Sequence, residues 1–567
     1  MTNVDVPYED LIDLLGRRMS LDECVDRITF MGAGPEGVQG DVMTFDVFPN
    51  RPDLYSVEGI ARGLRGFLGL EAGLPSYDVA PATVDFVVDR NVAEVRPFAL
   101  GGIIRGLELE EPLLRSLVEL QERLHLTVGR KRRKVAIGIH DLDRVVPPFS
   151  YRGVRPHEVR FTPLGKAEEM DLAEILTKHE KGREYAPLVA SKPLFPIITD
   201  AKGEVLSFPP VINGIRTQLT SDTRNLFLDV TGTDLDAVGG CLAILSTALA
   251  ERGGRIERVR TKYADRTLET PDLAPRPHAL DVRRANALTG LDVTAQQAVD
   301  FLRRMRHDAT AEGDAVRVLS PAYRLDLLHE VDLAEDLAIA WGYDRYPRAL
   351  PRRQTIGAPL PANEFGDLVR GLLIGYGYQE VMSLVLASEK DGFETPERVV
   401  VQNPLGDELT TLRSSLLPAL LGIFRLNKHR ELPQRVFETG DVVLRERNVR
   451  KVAGAAMHPK ASFTEGKSLV LSLLRDVGRS GEVEPVEDSN FIPGRAATLL
   501  VDRERVGRFG EIHPRILEAY SLVQPVMAFE MDLDSLGSRR PEGQKVFPAS
   551  EDGDRAEVAK PGSTRQT

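Results

Sequence analysis

Apolar residues recur along much of the chain at the spacing that is typical of helices. In NRPDLYSVEGIARGLRGFLG, from Asn50 to Gly69, they fall three or four residues apart. This spacing predicts a turn followed by a helix with one buried face. Pro52 suits the start of that helix, because a proline at the first helical position loses no hydrogen bond. The predicted apolar face consists of Leu54, Val57, Ala61, Leu64 and Leu68.

Between residues 86 and 265, short apolar runs alternate with helical segments. We predict strands at VAIGIHDL, PLFPIIT, LFLDVTG and IERVRTKY. A helix is predicted from Leu235 to Arg252, because Gly253 and Gly254 provide a stop signal after it. Prolines then break the periodicity twice, at 266–281 and at 351–360, and we predict a linker in each place.

These breaks predict a multidomain α+β protein, since 567 residues are too many for one hydrophobic core. An α+β domain at 1–85 precedes an α/β domain at 86–265. After the first linker, a small helical domain with one β element covers 282–350, and a mixed α/β domain covers 361–537. The last segment, 538–567, lacks apolar spacing and is predicted to be disordered.

Composition and charge narrow the class of protein without identifying a function. No apolar run approaches the roughly 20 residues of a membrane helix, and the N terminus carries acidic residues in place of a signal sequence. We therefore predict a cytoplasmic protein without membrane contact. The net charge is −12, so binding to nucleic acid would require a local basic patch. The candidate is GRKRRK at 129–134, although a solvated loop explains these charges at least as well.

Four carboxylates lie close together in the segment that begins at Pro321. Asp326 precedes a predicted helix, and Asp332, Glu335 and Asp336 share one sector of it. Repulsion between them costs about a few tenths of a kcal/mol per pair. Mg²⁺ would relieve it, since this ion prefers oxygen ligands. Acidic residues are also favoured at a helix N terminus by the macrodipole alone, and the spacing by itself favours that second interpretation.

Small polar residues are concentrated between 207 and 234. Four of them can offer hydroxyl, amide and carboxylate groups to a polar ligand: Ser207, Asn213, Asp229 and Thr231. Turns and helix caps explain such residues as well, and for Thr233 and Asp234 the cap is the favoured interpretation. His140 and His179 are possible contributors, but neither is assigned a catalytic role. No Ser-His-Asp or Cys-His pattern is evident, so attack by a positioned water is preferred to covalent catalysis.

Several strings resemble the beta subunit of phenylalanyl-tRNA synthetase, archaeal/eukaryotic type. They are the segment 50–69, NLFLDVTGTD, and Arg-x-Asp followed by Asp-x-x-Glu-Asp before Trp-Gly-Tyr. The resemblance runs from about residue 5 to residue 535 with its motifs in the correct order. It implies an editing domain of the tRNA-binding type at 86–265, a winged-helix-like domain at 282–350, and a class II synthetase-like antiparallel sheet at 361–537.

The resemblance also implies roles for the candidate residues. Asp326, Asp332, Glu335 and Asp336 match positions assigned to magnesium that is shared with a partner subunit. The editing domain of the family hydrolyses mischarged tyrosyl-tRNA, which is needed because an apolar pocket for phenylalanine rejects tyrosine only about a hundredfold. The residues expected to line that second pocket are Ser207, Asp229 and Thr231, with Asn213 holding substrate or water.

The region 361–537 resembles a synthetase core without its catalytic residues. Such a core needs arginines that bind ATP phosphates. The only Gly-x-Gly here, Gly375 to Gly377, has Val381 where the arginine is expected, and we interpret it as a helix-terminating turn. Arg413 and Glu438 are interpreted as scaffold and subunit contacts. The resemblance therefore implies an α₂β₂ heterotetramer whose alpha subunit holds ATP, phenylalanine and the adenylate.

The leading hypothesis is a beta subunit of a phenylalanine–tRNA ligase, which uses ATP to attach phenylalanine to tRNA(Phe). This chain would contribute editing, tRNA contacts and assembly. One alternative is a free-standing deacylase of mischarged tRNA, and another is a tRNA-binding scaffold without enzymatic turnover. The purified chain separates these hypotheses. The first predicts no aminoacylation and partner-dependent deacylation, the second vigorous deacylation by a monomer, and the third binding without hydrolysis.

Overall fold

The structure is a computed structural model that describes residues 2–350, 357–394, 398–445 and 447–537. The chain forms two compact units that divide between Ala349 and Leu350. The tail 538–567, predicted to be disordered, and residues 351–356 of the predicted second linker lie outside the described residues. In the described ranges, no helix is both long and apolar enough to cross a membrane.

The first unit begins with a small antiparallel sheet of order β1-β3-β2 that shares a hydrophobic core with three helices. These elements are β1 (Asn3–Pro7), α1 (Tyr8–Leu15), α2 (Leu21–Phe30), β2 (Gly34–Gln39), β3 (Val42–Asp46) and α3 (Val57–Phe67). Helix α3 buries Val57, Ala61 and Leu64 of the predicted apolar face. Glu58 and Arg62 of the same helix are buried as well, so α3 is enclosed on more than the one predicted face.

The predicted start of α3 at Pro52 is wrong. Pro52 begins a separate 3₁₀ turn, Pro52–Leu54, and α3 begins at Val57 after Ser56, whose hydroxyl accepts a hydrogen bond from the N–H of Gly59. The turn folds back against the helix at Gly59, where a Cβ would lie 1.9 Å from the carbonyl oxygen of Asp53. Glycine at this position therefore allows the turn to pack directly against the helix backbone as a separate element.

A ten-stranded mixed sheet dominates the first unit. Its strand order is β12-β11-β10-β7-β4-β14-β5-β13-β6, with β15 paired to β14. The elements of this region are β4 (Val79–Val88), β5 (Phe98–Arg105), α4 (Glu111–Leu126), β6 (Val135–Asp141), β7 (Phe149–Val154), β8 (Arg160–Phe161), β9 (Met170–Asp171), α5 (Leu172–Lys178), α6 (Glu180–Tyr185), β10 (Phe195–Thr199), β11 (Val205–Phe208), β12 (Ile212–Asn213), β13 (Leu226–Gly232), α7 (Leu235–Ala250), β14 (Arg255–Lys262) and β15 (Thr267–Thr270). The four predicted strands are present as β6, β10, β13 and β14. Asp234 caps α7 as predicted, because its carboxylate accepts a hydrogen bond from the N–H of Ala237 at 2.9 Å.

Two predicted boundaries need correction. Strand β4 crosses the boundary drawn at residue 85, because it pairs in parallel with β14 and so belongs to the large sheet. The predicted linker at 266–281 contains β15, which extends the same sheet, and a further strand, β16 (Arg276–Asp281). Pro277 is tolerated in β16 because this strand lies at the edge of its sheet. The prolines here mark strand ends and an edge strand.

The next part of the first unit combines helices with a small sheet. After β16 come α8 (Val282–Thr289), α9 (Ala295–Arg304), β17 (Asp308–Glu312), β18 (Ala315–Ser320) and α10 (Glu330–Trp341). The three strands are antiparallel in the order β16-β18-β17. Helices α8, α9 and α10 share one hydrophobic core with this sheet. The predicted β element at AVRVLSP is the central strand, β18.

The second unit is built on a seven-stranded sheet of order β19-β22-β23-β27-β26-β25-β24. It is antiparallel except for the β19–β22 pair. The elements are α11 (Pro361–Gly375), β19 (Gln379–Glu380), β20 (Leu386–Ala387), β21 (Thr411–Leu412), α12 (Leu417–Leu426), β22 (Gln434–Leu444), β23 (Arg447–Met457), α13 (Phe463–Asp476), β24 (Glu482–Pro485), β25 (Phe491–Val501), β26 (Glu504–Ile512), α14 (Pro514–Ala519), β27 (Val526–Asp532) and α15 (Leu533–Gly537). Helix α11 ends at Gly375, and Gly377 has a φ of 83°, so this glycine pair terminates the helix as predicted.

Candidate functional site

The large sheet brings together residues that are far apart in its strand order. Ser207 lies on β11 and Asp229 on β13, near opposite ends of that order, yet the Ser207 hydroxyl donates to Asp229 Oδ2 at 3.4 Å. The sheet must therefore curl until its ends approach. Thr231 follows Asp229 by two residues and points to the same face of β13. Asn213, on β12, pairs directly with Ser207.

His140 joins this group from β6, although it received no role from the sequence. Its Nε2 lies 2.6 Å from Asp229 Oδ2, and its Nδ1 lies 2.8 Å from the hydroxyl of Thr217. Asp229, His140 and Thr217 are all buried. The available signal was a histidine within VAIGIHD, since every residue of β6 is buried and a buried polar side chain needs a partner. His179 is elsewhere and caps α6.

A glycine makes room for the contact between His140 and Asp229. Gly138 is the residue of β6 that pairs with Asp229 of β13. A Cβ at this position would lie 2.1 Å from Asp229 Oδ2 and 2.6 Å from His140 Nε2. Both distances are far below van der Waals contact, so the carboxylate and the imidazole occupy the space where a side chain would begin.

Thr231 is held by a buried arginine. Arg96 donates from Nε to the Thr231 hydroxyl at 2.9 Å and from Nη2 to the Thr231 carbonyl at 2.7 Å. Its Nη1 donates to the carbonyls of Arg132 and Arg133 at 3.1 and 3.3 Å. Burial lowers the pKa of Arg96 to about 10. Four hydrogen bonds to neutral oxygens thus connect strand β13 to the basic segment 129–134.

The basic segment GRKRRK forms a tight turn before β6. Arg130, Lys131 and Arg132 have φ values of 48°, 55° and 62°, a left-handed conformation that non-glycine residues seldom adopt. Arg132 anchors the turn through Glu122 at 2.8 Å and through the Pro210 carbonyl. The structure leaves the side chains of Arg130, Lys131 and Arg133 at least partly exposed. The candidate basic patch is therefore an exposed turn that is fixed to the fold through the side chain of Arg132.

Arg324 occupies the centre of the acidic residues that were proposed for magnesium. Its guanidinium donates to both carboxylate oxygens of Asp326, at 2.9 and 2.7 Å, and to Asp336 Oδ2 at 2.8 Å. His307 Nε2 lies 2.7 Å from that same Asp336 oxygen. Burial opposes ionisation of Asp336, but the positive charge of Arg324 and the hydrogen bond with His307 outweigh it and lower the pKa of Asp336 to about 2.

The other two carboxylates face different surroundings. Asp332 Oδ2 accepts hydrogen bonds from the backbone N–H groups of Leu328 and His329, each at 2.7 Å, and so caps helix α10. Glu335 is exposed, and no hydrogen bond or ion pair joins it to the described residues. Partial burial and the neighbouring negative charges, Asp336 foremost, raise the pKa of Glu335.

In the described residues these four carboxylates are not gathered around one metal position, and their assignment to magnesium stays a prediction. No group of three or more His, Cys, Asp or Glu side chains within the described ranges is arranged to hold a metal ion. The physical reason is that Arg324 pairs with Asp326 and Asp336, while the backbone N–H groups of Leu328 and His329 occupy Asp332. The donor set therefore does not fit Mg²⁺ unless a partner supplies ligands and this arrangement changes.

In the second unit, Arg413 and Glu438 form a buried ion pair. The Arg413 Nη1 lies 2.6 Å from Glu438 Oε1, and Arg413 Nε donates to the carbonyl of Asp441 at 2.8 Å. The hydroxyl of Ser383 donates to Glu438 Oε2 at 2.6 Å. Both charged groups are consumed by contacts within the fold, which agrees with their interpretation as scaffold.

The chain is similar to known proteins over nearly its whole length. It is 44% identical over 540 residues to the phenylalanine–tRNA ligase beta subunit of Methanothrix thermoacetophila, an alignment that covers 94% of this chain and 100% of that relative. The chain belongs to the phenylalanine–tRNA ligase beta subunit family. The relative from Archaeoglobus fulgidus is 42% identical over 543 residues and is covered to 98%. The family predicted from the sequence strings is therefore confirmed.

Separate parts of this ligase subunit match known domains. Residues 278–343 match the family described as the tRNA synthetase B5 domain. Residues 347–533 match the phenylalanyl tRNA synthetase beta chain CLM domain. An N-terminal fragment of the phenylalanyl-tRNA synthetase beta subunit from Pyrococcus horikoshii has a similar solved structure, with a TM-score of 0.59 and 40% identity. That likeness covers 60% of this chain and 99% of the fragment.

Proposed function

We propose that this chain works with an alpha subunit to attach phenylalanine to tRNA(Phe), and that its large sheet hydrolyses tyrosyl-tRNA(Phe) formed in error. The observation that carries the editing role is the group of Asp229, Ser207 and Thr231 on one curled sheet. Tyrosine differs from phenylalanine by a phenol that can donate a hydrogen bond. A carboxylate such as Asp229 accepts it, so this site favours the wrong amino acid.

The order of the polar groups supports attack by water. In a nucleophilic triad the histidine lies between serine and aspartate, where it can remove the serine proton. Here Asp229 lies between, since the Ser207 hydroxyl and His140 Nε2 both contact Asp229 Oδ2. Ser207 therefore has no adjacent histidine base that would make it a nucleophile. We infer that a water attacks the ester carbonyl, with Asn213 and Thr231 as the groups that orient substrate or water.

The basic turn supports a tRNA contact. Arg130, Lys131 and Arg133 are presented on one short turn, and such side chains bind phosphate through charge. Arg96 attaches this turn to Thr231 through the backbone carbonyls of Arg132 and Arg133. A tRNA strand held at the turn would lie next to the pocket that cleaves its ester. We propose bounds of about 79–270 for this editing domain, following the strands of the sheet.

The second unit supports assembly with a catalytic partner. Its antiparallel sheet is that expected of a class II synthetase-like domain, while Val381 stands where a phosphate-binding arginine would be needed. Three leucines of α12 are buried in a hydrophobic core of this unit: Leu417, Leu420 and Leu421. Other apolar residues of this unit are strongly exposed, Met382 by 92% and Leu405 by 97%. We propose that such residues contact the alpha subunit, which holds the ATP, in an α₂β₂ heterotetramer.

Magnesium and location complete the proposal. Mg²⁺ would bind only in the assembled ligase, where it supplies electrostatic stabilisation of phosphate charge. Of the four predicted carboxylates, exposed Glu335 is the one that no described side chain or backbone group occupies. The ligase is proposed to act in the cytoplasm, where its tRNA substrate is charged.

Coexpression with an alpha subunit tests this function. The purified tetramer should charge tRNA(Phe) with phenylalanine and deacylate preformed tyrosyl-tRNA(Phe), whereas the chain alone should form no phenylalanyl adenylate. Asp229→Ala should slow tyrosyl-tRNA hydrolysis by about tenfold to a hundredfold, because a hydrogen bond to a charged group is removed, and should leave phenylalanine charging intact. Vigorous deacylation by the lone chain would favour the free-standing hydrolase. Binding of tRNA without hydrolysis in either context would favour the scaffold.

A further inference from the structure

His140 is the buried polar group of this region whose role the proposed chemistry does not yet explain. Its side chain has no solvent exposure, and its ring lies 6.1 Å from that of Phe227 in a stacked orientation. Both ring nitrogens have partners, Asp229 Oδ2 at 2.6 Å and the Thr217 hydroxyl at 2.8 Å. A histidine enclosed in this way has no path to substrate, so any influence on the reaction passes through its two neighbours.

The protons that Asp229, His140 and Thr217 carry determine the direction of these hydrogen bonds. An ionised Asp229 has no proton to offer, so His140 Nε2 must donate to it. The hydroxyl of Thr217 adapts to either state of the imidazole. It donates to Nδ1 when His140 is neutral, and it accepts from Nδ1 and donates to the Gly214 carbonyl, 3.3 Å away, when His140 is charged. In both states the Nε2 proton points at Asp229.

The two oxygens of Asp229 are consequently unequal. Oδ2 accepts from both His140 and Ser207, whereas no side chain in the described ranges donates a hydrogen bond to Oδ1. Gly138 leaves the space in which this arrangement fits. A carboxylate held through one oxygen cannot rotate without breaking both bonds, so its second oxygen keeps a defined direction.

We propose that His140 is a positioning residue that holds Asp229 Oδ2 and thereby presents Oδ1 to the phenol of a misattached tyrosine. The proposal rests on the editing function stated above. It assigns to His140 the selectivity for tyrosyl over phenylalanyl ester, and it gives the residue no proton transfer. A histidine needed only for packing against Phe227 would influence hydrolysis of both esters to the same degree.

Two substitutions of similar size separate these roles. Glutamine carries its amide near the place of Nε2 and can still donate to Asp229, while asparagine carries its amide near the place of Nδ1 and reaches only Thr217. In the tetramer, His140→Asn should lower the ratio of kcat/KM for tyrosyl-tRNA over phenylalanyl-tRNA deacylation by about tenfold or more, as expected when a hydrogen bond to a charged group is removed. His140→Gln should keep that ratio within about threefold of the wild type.

A third variant keeps the test decisive if His140→Asn does not fold. Thr217→Val retains His140 but removes the hydroxyl that orients its ring, and it should lower the same ratio by a smaller factor. Thermal unfolding of each tetramer reports the structural cost separately. An unchanged ratio in both His140→Asn and Thr217→Val overturns the proposal, as does an equal decrease in His140→Asn and His140→Gln. A wild-type tetramer without any tyrosyl-tRNA hydrolysis would instead refute the editing function on which the proposal rests.

Discussion

Replacing Gly138 by alanine adds a single methyl group beside the contact between Asp229 and His140. Gly138 on β6 faces Asp229 on β13, and the new Cβ would lie 2.1 Å from Asp229 Oδ2 and 2.6 Å from His140 Nε2. Neither neighbour is the free end of a flexible side chain, since Asp229 and His140 hold each other at 2.6 Å. The methyl group can therefore be accommodated only by moving this pair.

The size of the effect follows from these distances. Ordinary van der Waals contact begins at 3.4 Å, so Asp229 Oδ2 must retreat by the difference from 2.1 Å, which is about 1.3 Å. Overpacking of this kind costs about 1–3 kcal/mol of folding stability. A displacement of about 1 Å at a reacting site can reduce a rate about a hundredfold. We expect Gly138→Ala to lower tyrosyl-tRNA deacylation by that order while phenylalanine charging continues.

The assay compares Gly138→Ala with Gly239→Ala, a matched change in the same part of the chain. Gly239 lies in helix α7, and a Cβ there would meet only Leu100 Cδ1, at 3.8 Å. Alanine within a helix is favoured over glycine by about 1 kcal/mol, so this control should melt no lower than the wild type. Deacylation of preformed tyrosyl-tRNA, charging with phenylalanine and thermal unfolding are measured for each tetramer.

Two results would refute the reasoning about Gly138. Full deacylation by Gly138→Ala would mean that Asp229 can move by more than about 1 Å without consequence, and the carboxylate could not then be the group that recognises the phenol. A melting temperature of Gly138→Ala equal to that of the wild type would contradict the crowding itself. The control guards the comparison, since an equal decrease of deacylation in Gly239→Ala would show that the assay responds to any glycine substitution.

Three further predictions concern the basic turn and the acidic residues. Lys131→Ala combined with Arg133→Ala should weaken tRNA binding and reduce the slope of log K against log salt by about 1 for each phosphate that the turn no longer neutralises; an unchanged slope would remove the turn from the tRNA interface. The pKa of Asp336 is about 2 in the fold against an ordinary 3.8, so its ionised form stabilises the protein above about pH 4. That contribution, about 2 kcal/mol, disappears as the pH falls from about 4 towards 2. The free energy of unfolding of Asp336→Asn should therefore lack this pH-dependent loss. Profiles of stability against pH that have the same shape in the variant and the wild type would contradict the pairing with Arg324. Glu335→Gln should raise the magnesium concentration needed for charging by the tetramer, and an unchanged titration would remove Glu335 from any metal site.

Local patterns were sufficient for the elements that a few neighbouring residues specify. The apolar spacing of α3, the stop after α7 and the apolar runs of β6, β10 and β13 were all readable in one dimension. Linkers were less readable, because proline breaks periodicity equally in a true linker and in an edge strand such as β16. The start of α3 was misplaced for a related reason, since the close approach of Gly59 to the Asp53 carbonyl involves no periodic signal.

The acidic residues show where a motif and a structure diverge. The spacing of Asp332, Glu335 and Asp336 on one helix was predictable, and so was their mutual repulsion. The pairing of Asp336 with Arg324 was not predictable, because it depends on how the chain before α10 folds back over the helix. His307 completes that arrangement through its contact with Asp336, although two strands, β17 and β18, separate it from α10 along the chain.

The order of residues alone therefore determined the available side-chain chemistry and the local helices and strands, because helix and strand periods arise within a single turn or a few pleats of backbone. The strings that identify the family can be recognised for the same reason, since each is a short continuous stretch of sequence. The meeting of Ser207, Asp229 and His140 depended on closure of a sheet whose strands come from distant parts of the chain, with Gly138 leaving the space between them. Pairing at long range is decided by the packing of the whole sheet, and no short window of residues contains it.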